Sequence, residues 1–576
     1  MFSLLLLLLV AGPGAMAAAV PEAAAEATAE AAAEAAPVSE FADIRFDGAD
    51  INVSEDALSK DFDVVLVIVD ALSSLTAKNA AGIKAAIEEA ITVDPAFGSS
   101  SPDLLISDVV PSKRIVYAPV DVRDGDVTDA HNYEIAGAAA GRRAVQAGAK
   151  RPILVCQAPP GRSGYISACM FAAFGVLQET YVPLSVRGNG SPSLLESVTL
   201  YADGSYPVEL FTTGARIAAA VESGKIVARD ICGADPERMN PAQAADYIRQ
   251  AFNNSGAKLT AYSPDQMEQA MPLTRAAIRA SSSVDRFAPQ GVQLGFDGPG
   301  VINRTLLLMG SGITYDYFDG PGGSRQKCGA ATVVGIVKAL TLLKPEGLRV
   351  ISGTPFIRTS VGADNFAADD IAVSGAGRRV RLGSAAGVDR LLMADAANGV
   401  KMVAAQSPNP YVFAISTLTD HARLAHGYGY PVVVENAASR ALGVGANLEL
   451  IGDRGGSPVE VSRLRKEDFA ANLASNDPEA DLVAYPGPST SVNRGHQQPV
   501  AFILQAAGLD NGSSIPFTHI DITGPATTFP GVPATTPLTS ITYKFGLSAQ
   551  LQMLMGIYIP PPQSTEPAAA EPAAEE

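Results

Sequence analysis

Residues 63–69 (DVVLVIV) form an unbroken apolar, β-branched run, the pattern of a strand covered on both faces rather than one that alternates between core and water. Helical spacing of apolar positions follows over 77–91. Further apolar runs at 114–118 and 152–156 read as strands, separated by an alanine-rich helical stretch at 134–149, and a helix is predicted over 166–178. Strand and helix alternate, which predicts an α/β domain with a mostly parallel sheet. A second α/β region has predicted strands at 291–295, 305–309, 348–352, 411–415 and 519–522, with helices at 241–252, 330–343 and 498–507. No internal repeat is evident. The chain therefore divides into a leader and Ala/Glu-rich spacer at 1–40, a smaller N-terminal domain at 41–225, a larger C-terminal domain at 226–559 and a disordered acidic tail at 560–576.

Composition changes this picture mainly by exclusion. The 576 residues carry a net charge of −18 and no basic cluster, which repels phosphate backbones and argues against a nucleic-acid partner. Nine of the acidic residues lie in the spacer and tail, so the folded part is only about −9. The first twenty residues have no charged side chain, and the apolar run at 4–10 is too short to span a bilayer. It fits a secretory signal with Ala15-Met16-Ala17 as the cleavage site, the alternatives being an uncleaved anchor or an unstructured leader. No later segment is predicted to span a membrane. A secretory or extracellular location is the expectation, with the cytoplasm as alternative. Asn52, Asn189, Asn253, Asn303 and Asn511 begin glycosylation sequons that only such a route could use.

Cys156, Cys169, Cys232 and Cys328 have neither CxxC spacing nor histidines at zinc-site intervals, and the expectation is four buried thiols rather than a disulfide framework. No HExxH, Walker loop, GxSxG elbow or dinucleotide fingerprint is present. The DGPGGS segment at 319–324 reads as a tight turn rather than a phosphate cradle. Asp316, Asp319, Arg390, His421 and His519 could gather for acid or base work. Each also has a structural reading: the aspartates bracing a turn, His421 and His426 on or near a helix, His519 as a hydrogen-bonded core histidine. His131 and His496 have no evident partners.

Several ordered blocks nonetheless resemble the leucine aminopeptidase family of two-metal exopeptidases. LMGSGITYD at 308–316 resembles that family's VGKGITYD strand, and SRQKCGAA at 324–331 its SRDKCGAA helix entry. RVRLG at 379–383, then SAAGVDR at 384–390 and MAD at 393–395, resemble RVRVG, NTDAEGR and MxD. ISTLT at 415–419, RGHQQP at 494–499 and THIDITG at 518–524 resemble ATLTG, RGHQxP and HLDIAG segments. The spelling is most similar to an animal branch of aminopeptidase-like proteins. The resemblance implies a C-terminal domain with a central mixed sheet and a hexamer, alone or mixed with an active paralogue.

It also implies a site in which two divalent ions, held by a lysine and several carboxylates, turn a bridging water into hydroxide. Carried over position by position, that lysine falls on Ser311 and the carboxylates on Asp316, Gln326, Ala386 and Val388, so one of five ligands is kept. The arginine that orients substrate is kept as Arg390, while no lysine stands between Asp316 and Lys327 to serve as the second catalytic one. One carboxylate cannot balance two dications in a partly buried cleft. The expectation is an inactive scaffold without a cofactor; the alternative is a residual aminopeptidase with zinc or manganese at low occupancy around Asp316.

Overall fold

The computed structural model describes residues 48–558, apart from 78, 100, 122–129, 158–167, 188–193, 205, 385–386, 486, 527–536 and 556. The leader, spacer and acidic tail, and Asn189, lie outside the described residues.

The N-terminal sheet has six strands: β1 (Asp50–Ser54), β2 (Val64–Val69), β3 (Asp103–Ile106), β4 (Arg114–Pro119), β5 (Pro152–Gln157) and β6 (Ser197–Tyr201), in the order β1-β6-β5-β2-β4-β3. All pairs are parallel except β3 with β4. Every residue of β2 is buried because helices cover both faces: Ala81–Val93 on one, His131–Gln146 and Ala168–Glu179 on the other. Burying each such Val, Leu or Ile side chain contributes roughly 1.5–3 kcal/mol. The alanine-rich stretch is helical because its small residues permit close packing. A Cβ on Gly137 would meet the Ala172 carbonyl oxygen at 2.0 Å.

The C-terminal part contributes β7 (Lys258–Tyr262), β8 (Gln290–Asp297), β9 (Arg304–Gly310), β10 (Gly312–Ile313), β11 (Leu348–Ile357), β12 (Ile371–Val373), β13 (Arg379–Leu382), β14 (Pro410–Ser416), β15 (Val432–Glu435), β16 (Glu460–Arg463), β17 (Leu482–Ala484) and β18 (Phe517–Asp521). Its main sheet runs β16-β15-β18-β14-β9-β11-β8-β7, and β12, β13 and β17 form a separate small sheet. The central four strands, β18, β14, β9 and β11, are mutually parallel, while β7, β8 and β15 pair antiparallel, so the sheet is mixed as expected.

The division at 225/226 falls inside one continuous helix, Val208–Gly233, whose second half is buried. Two expectations are corrected. Cys232 and Cys328 are disulfide-bonded, and only Cys156 and Cys169 are free thiols. His131 and His496 do have partners: His131 Nδ1 lies 3.1 Å from the Gly456 carbonyl oxygen, and His496 Nδ1 lies 2.8 Å from His421 Nδ1. One described helix, Gly323–Leu343, is long and apolar enough to cross a membrane, and 78% of its apolar window is buried inside the fold.

Candidate functional site

The parallel strands β9, β14 and β18 end at Gly310, Ser416 and Asp521, and the chain turns there into the segments that line a cleft of about 140 Å³. This is the carboxyl edge of an open sheet, where α/β folds place their ligands. Glycines allow the close approach: a Cβ on Gly329 would meet the Ile415 carbonyl oxygen at 2.2 Å, and Gly387, at φ +87°, caps helix Val388–Ala404 against the Tyr485 ring.

Among the predicted site residues, Asp319, Gln326 and Arg390 line the cleft. Asp316, three residues past the end of β10, is buried. Its Oδ1 accepts from Phe318 N at 3.1 Å and from Thr359 Oγ1 at 2.9 Å, so it braces the turn. Burial raises its pKa above the ordinary carboxylate value, against these hydrogen bonds. The turn itself is tight, with Gly320 and Gly322 at positive φ, and leads into a short 3₁₀ segment, Gly323–Lys327. Gln326 donates its amide to Asp319. Ser311 is fully buried, with its hydroxyl 3.4 Å from the Gln326 carbonyl oxygen. Val388 packs in an apolar cluster with Ile313, Ile357 and Leu391. Ala386 lies outside the described residues.

Lys327 cannot stand in for a catalytic lysine by position. Its ammonium is buried and donates to the carbonyls of Ala234 at 2.9 Å and Ser324 at 2.6 Å, and burial lowers its pKa to about 7. Arg390 is also buried, its guanidinium 4.9 Å from the Tyr485 ring centroid, and burial lowers its pKa to about 10. His519 behaves as a core histidine: Nε2 lies 3.0 Å from Ser416 Oγ, and burial depresses its pKa to about 3. His421 sits beside the cleft rather than in it, its backbone N–H 3.4 Å from the hydroxyl of cleft-lining Ser489.

Sequence reasoning passed over Asp389. In the NTDAEGR register it stands at the glycine, so nothing in that motif marks it. The side chain is 4% exposed and lines the cleft, and among the described residues neither of its oxygens completes a hydrogen bond. Burial pushes its pKa up to about 7; nearby Asp521 and Asp316 add to the rise, and the Ser311 and Ser416 hydroxyls oppose it. Asp521 is buried too, its pKa raised to about 6 by burial, and is held by Thr419 Oγ1 at 2.7 Å and Thr523 Oγ1 at 2.6 Å.

These residues do not fit a pair of divalent ions. Among the described residues, no group of three or more histidine, cysteine, aspartate or glutamate side chains could hold a metal. Three substituted ligand positions carry side chains engaged or packed elsewhere: Ser311, Gln326 and Val388.

Residues 226–541 match the family model described as "Cytosol aminopeptidase family, catalytic domain". The chain is 32% identical over 464 residues, 77% of its length and 87% of the other, to the Caenorhabditis elegans protein named "Putative aminopeptidase W07G4.4". It is 25% identical over 317 residues to a "Probable cytosol aminopeptidase" of Thermosynechococcus vestitus, covering 53% of this chain and 58% of that one. Among solved structures, a tomato leucine aminopeptidase mutant superimposes with a TM-score of 0.70 at 16% identity, over 86% of this chain and 96% of the other. The bottromycin maturation enzyme BotP does so at 0.65 and 18%, over 84% and 99%. With its mixed central sheet, the site at that sheet's carboxyl edge and a family match over more than half its length, this chain belongs to the cytosol aminopeptidase family.

Proposed function

We propose that this member of the family is a catalytically inactive scaffold, a pseudoenzyme that keeps the aminopeptidase fold for binding or assembly. The observation that carries this reading is Val388: the residue in place of a ligand glutamate has no donor atom and is packed among aliphatic side chains. Ser311 and Gln326 replace two more ligands with neutral groups, and Asp316 alone supplies too little charge for two dications. Arg390 is retained, but stacked on Tyr485.

Oligomer surfaces do not depend on metal ligands, so the hexamer implied by the family resemblance, alone or mixed with an active paralogue, is part of the proposal. The apolar leader and the Cys232–Cys328 disulfide together favour an oxidising, secretory location. N-terminal sequencing that found Met1 intact on unglycosylated protein would return the chain to the cytoplasm.

The deciding experiment measures bound zinc and manganese per subunit and hydrolysis of a leucine anilide on the purified protein. The proposal expects neither stoichiometric metal nor turnover. Stoichiometric metal with turnover that Asp316→Ala abolishes would overturn it in favour of an active enzyme.

A further inference from the structure

We propose that the cleft binds a small organic ammonium ion, with Asp389 as the residue that takes its positive charge. The inference rests on the pseudoenzyme reading, since it assigns the old catalytic cleft a ligand that needs no metal. Of the charged side chains lining the cleft, three are carboxylates, Asp319, Asp389 and Asp420, and two are guanidiniums, Arg325 and Arg390. Three of the five have hydrogen-bonded or ion-paired partners: Asp319 accepts from Gln326, Asp420 lies 3.3 Å from Arg423, and Arg325 donates to the Cys232 carbonyl at 3.3 Å. Arg390 lies over Tyr485, and its charge also acts on Asp389.

Asp389 is the carboxylate left open: it is 4% exposed, neither of its oxygens completes a hydrogen bond among the described residues, and the nearby Ser311 and Ser416 hydroxyls favour its charged form. A buried carboxylate so poorly supplied with donors persists where a ligand supplies them. Thr417 adds a second acceptor: its hydroxyl is buried, lines the same cleft and has no partner among the described residues. A primary ammonium offers three N–H donors on one compact charge, enough for a carboxylate and a hydroxyl together. A divalent ion is a poorer match, because the groups near Asp389 include the neutral hydroxyls of Ser311 and Ser416 and no three-ligand cage is present among the described residues. The cleft's volume suits a molecule of a few carbon atoms.

The test is calorimetric titration of the full chain, with a chelator present throughout, using n-butylamine and 1,4-diaminobutane as probes. Tetramethylammonium keeps the charge without N–H donors; N-butylacetamide keeps the size without the charge. Saturable binding of the amines, at least tenfold weaker binding of both controls, and at least a tenfold loss in Asp389→Asn are expected. Should Asp389→Asn not fold, Thr417→Val and the selectivity series on the native chain decide. No amine binding to the native chain, binding equal to that of the controls, or unchanged binding in a folded Asp389→Asn would each overturn the inference. A leucine anilide assay on the same samples without chelator separates the two readings. Absent amine binding with absent turnover removes this inference and leaves the pseudoenzyme standing, whereas metal-dependent turnover removes the reading beneath it.

Discussion

Gly224 and Gly335 meet backbone to backbone where helix Val208–Gly233 crosses helix Cys328–Leu343. A Cβ on Gly224 would lie 2.4 Å from the Gly335 carbonyl oxygen, and one on Gly335 would lie 2.5 Å from that of Gly224. Neither helix can yield locally, because both are buried along this stretch. The crossing joins the N-terminal sheet to the domain that carries the cleft.

Gly224→Ala should therefore destabilise the protein by about 1–3 kcal/mol, despite alanine's better helix propensity. Gly399→Ala is the matched control. It lies inside helix Val388–Ala404 with nothing within 4 Å of the added methyl, and should gain up to about 1 kcal/mol. Thermal melts of the two variants moving in the same direction would contradict this packing.

The Cys232–Cys328 disulfide ties the end of the first of those helices to the start of the second, closing a span of 96 residues. In the chain-entropy view such a loop is worth up to about 4–5 kcal/mol, so the double variant Cys232→Ser, Cys328→Ser should melt well below the parent. Alkylation of the denatured, unreduced protein should label Cys156 and Cys169 only. Labelling of all four cysteines would mean that the bridge does not form.

Much of the architecture was legible because buried parallel strands announce themselves. The runs at 63–69, 114–118, 152–156 and 305–309 each fall on a strand, within a residue or two at either end. β1, β3, β12 and β16 were missed because they are short and exposed or half-buried, with no continuous apolar signal. The division at 225/226 coincides with the start of the family match at residue 226, and it falls inside helix Val208–Gly233, which is buried on nearly every side and shows no polar face there. At the site, the motif register singles out Asp316, Gln326 and Arg390 but not Asp389, which only its burial in the cleft lining brings out. The disulfide was likewise invisible, since 96 residues separate its halves and spacing carries no information about which helix ends meet.

Asp395 offers a test of the buried carboxylates away from the cleft. Its Oδ2 accepts from both the N–H and the hydroxyl of Thr274, at 2.8 Å each, yet burial pushes its pKa up to about 7. An exposed aspartate titrates near 3.9. The folded state thus holds the proton more tightly, and the stability from this group is fully present below about pH 4 and lost as pH rises through 7. Asp395→Asn cannot ionise, so its melting temperature relative to the native chain should climb between pH 5 and 8.5. A difference that stays flat over that range would show that Asp395 titrates normally.

Rebuilding the family ligands should meet resistance from the packing. Val388→Glu places a carboxylate among Ile313, Ile357 and Leu391, a penalty of several kcal/mol unless an ion is captured. The combination Ser311→Lys, Gln326→Asp, Ala386→Asp and Val388→Glu should recover metal binding only in part. No lysine lies between Asp316 and Lys327, and Lys327 itself is committed to two backbone carbonyls. Robust leucine anilide hydrolysis by this quadruple variant would show that the loop after Asp316 is no obstacle.

Removing metal tests the native chain most directly. An enzyme that folds around two dications is stabilised by their binding free energy and loses it when they are stripped, because the ligand carboxylates then repel one another. Here Ser311, Gln326 and Val388 bring no charge to those positions, and Asp316 is held by Thr359 and a backbone N–H without an ion. The melting temperature should therefore move by less than about 1 °C on adding a strong chelator, zinc or manganese at constant ionic strength, since a shift of a few degrees would correspond to about 1 kcal/mol of bound metal. A shift of several degrees that disappears in Asp316→Ala would establish a working metal site around that carboxylate and restore the enzymatic alternative.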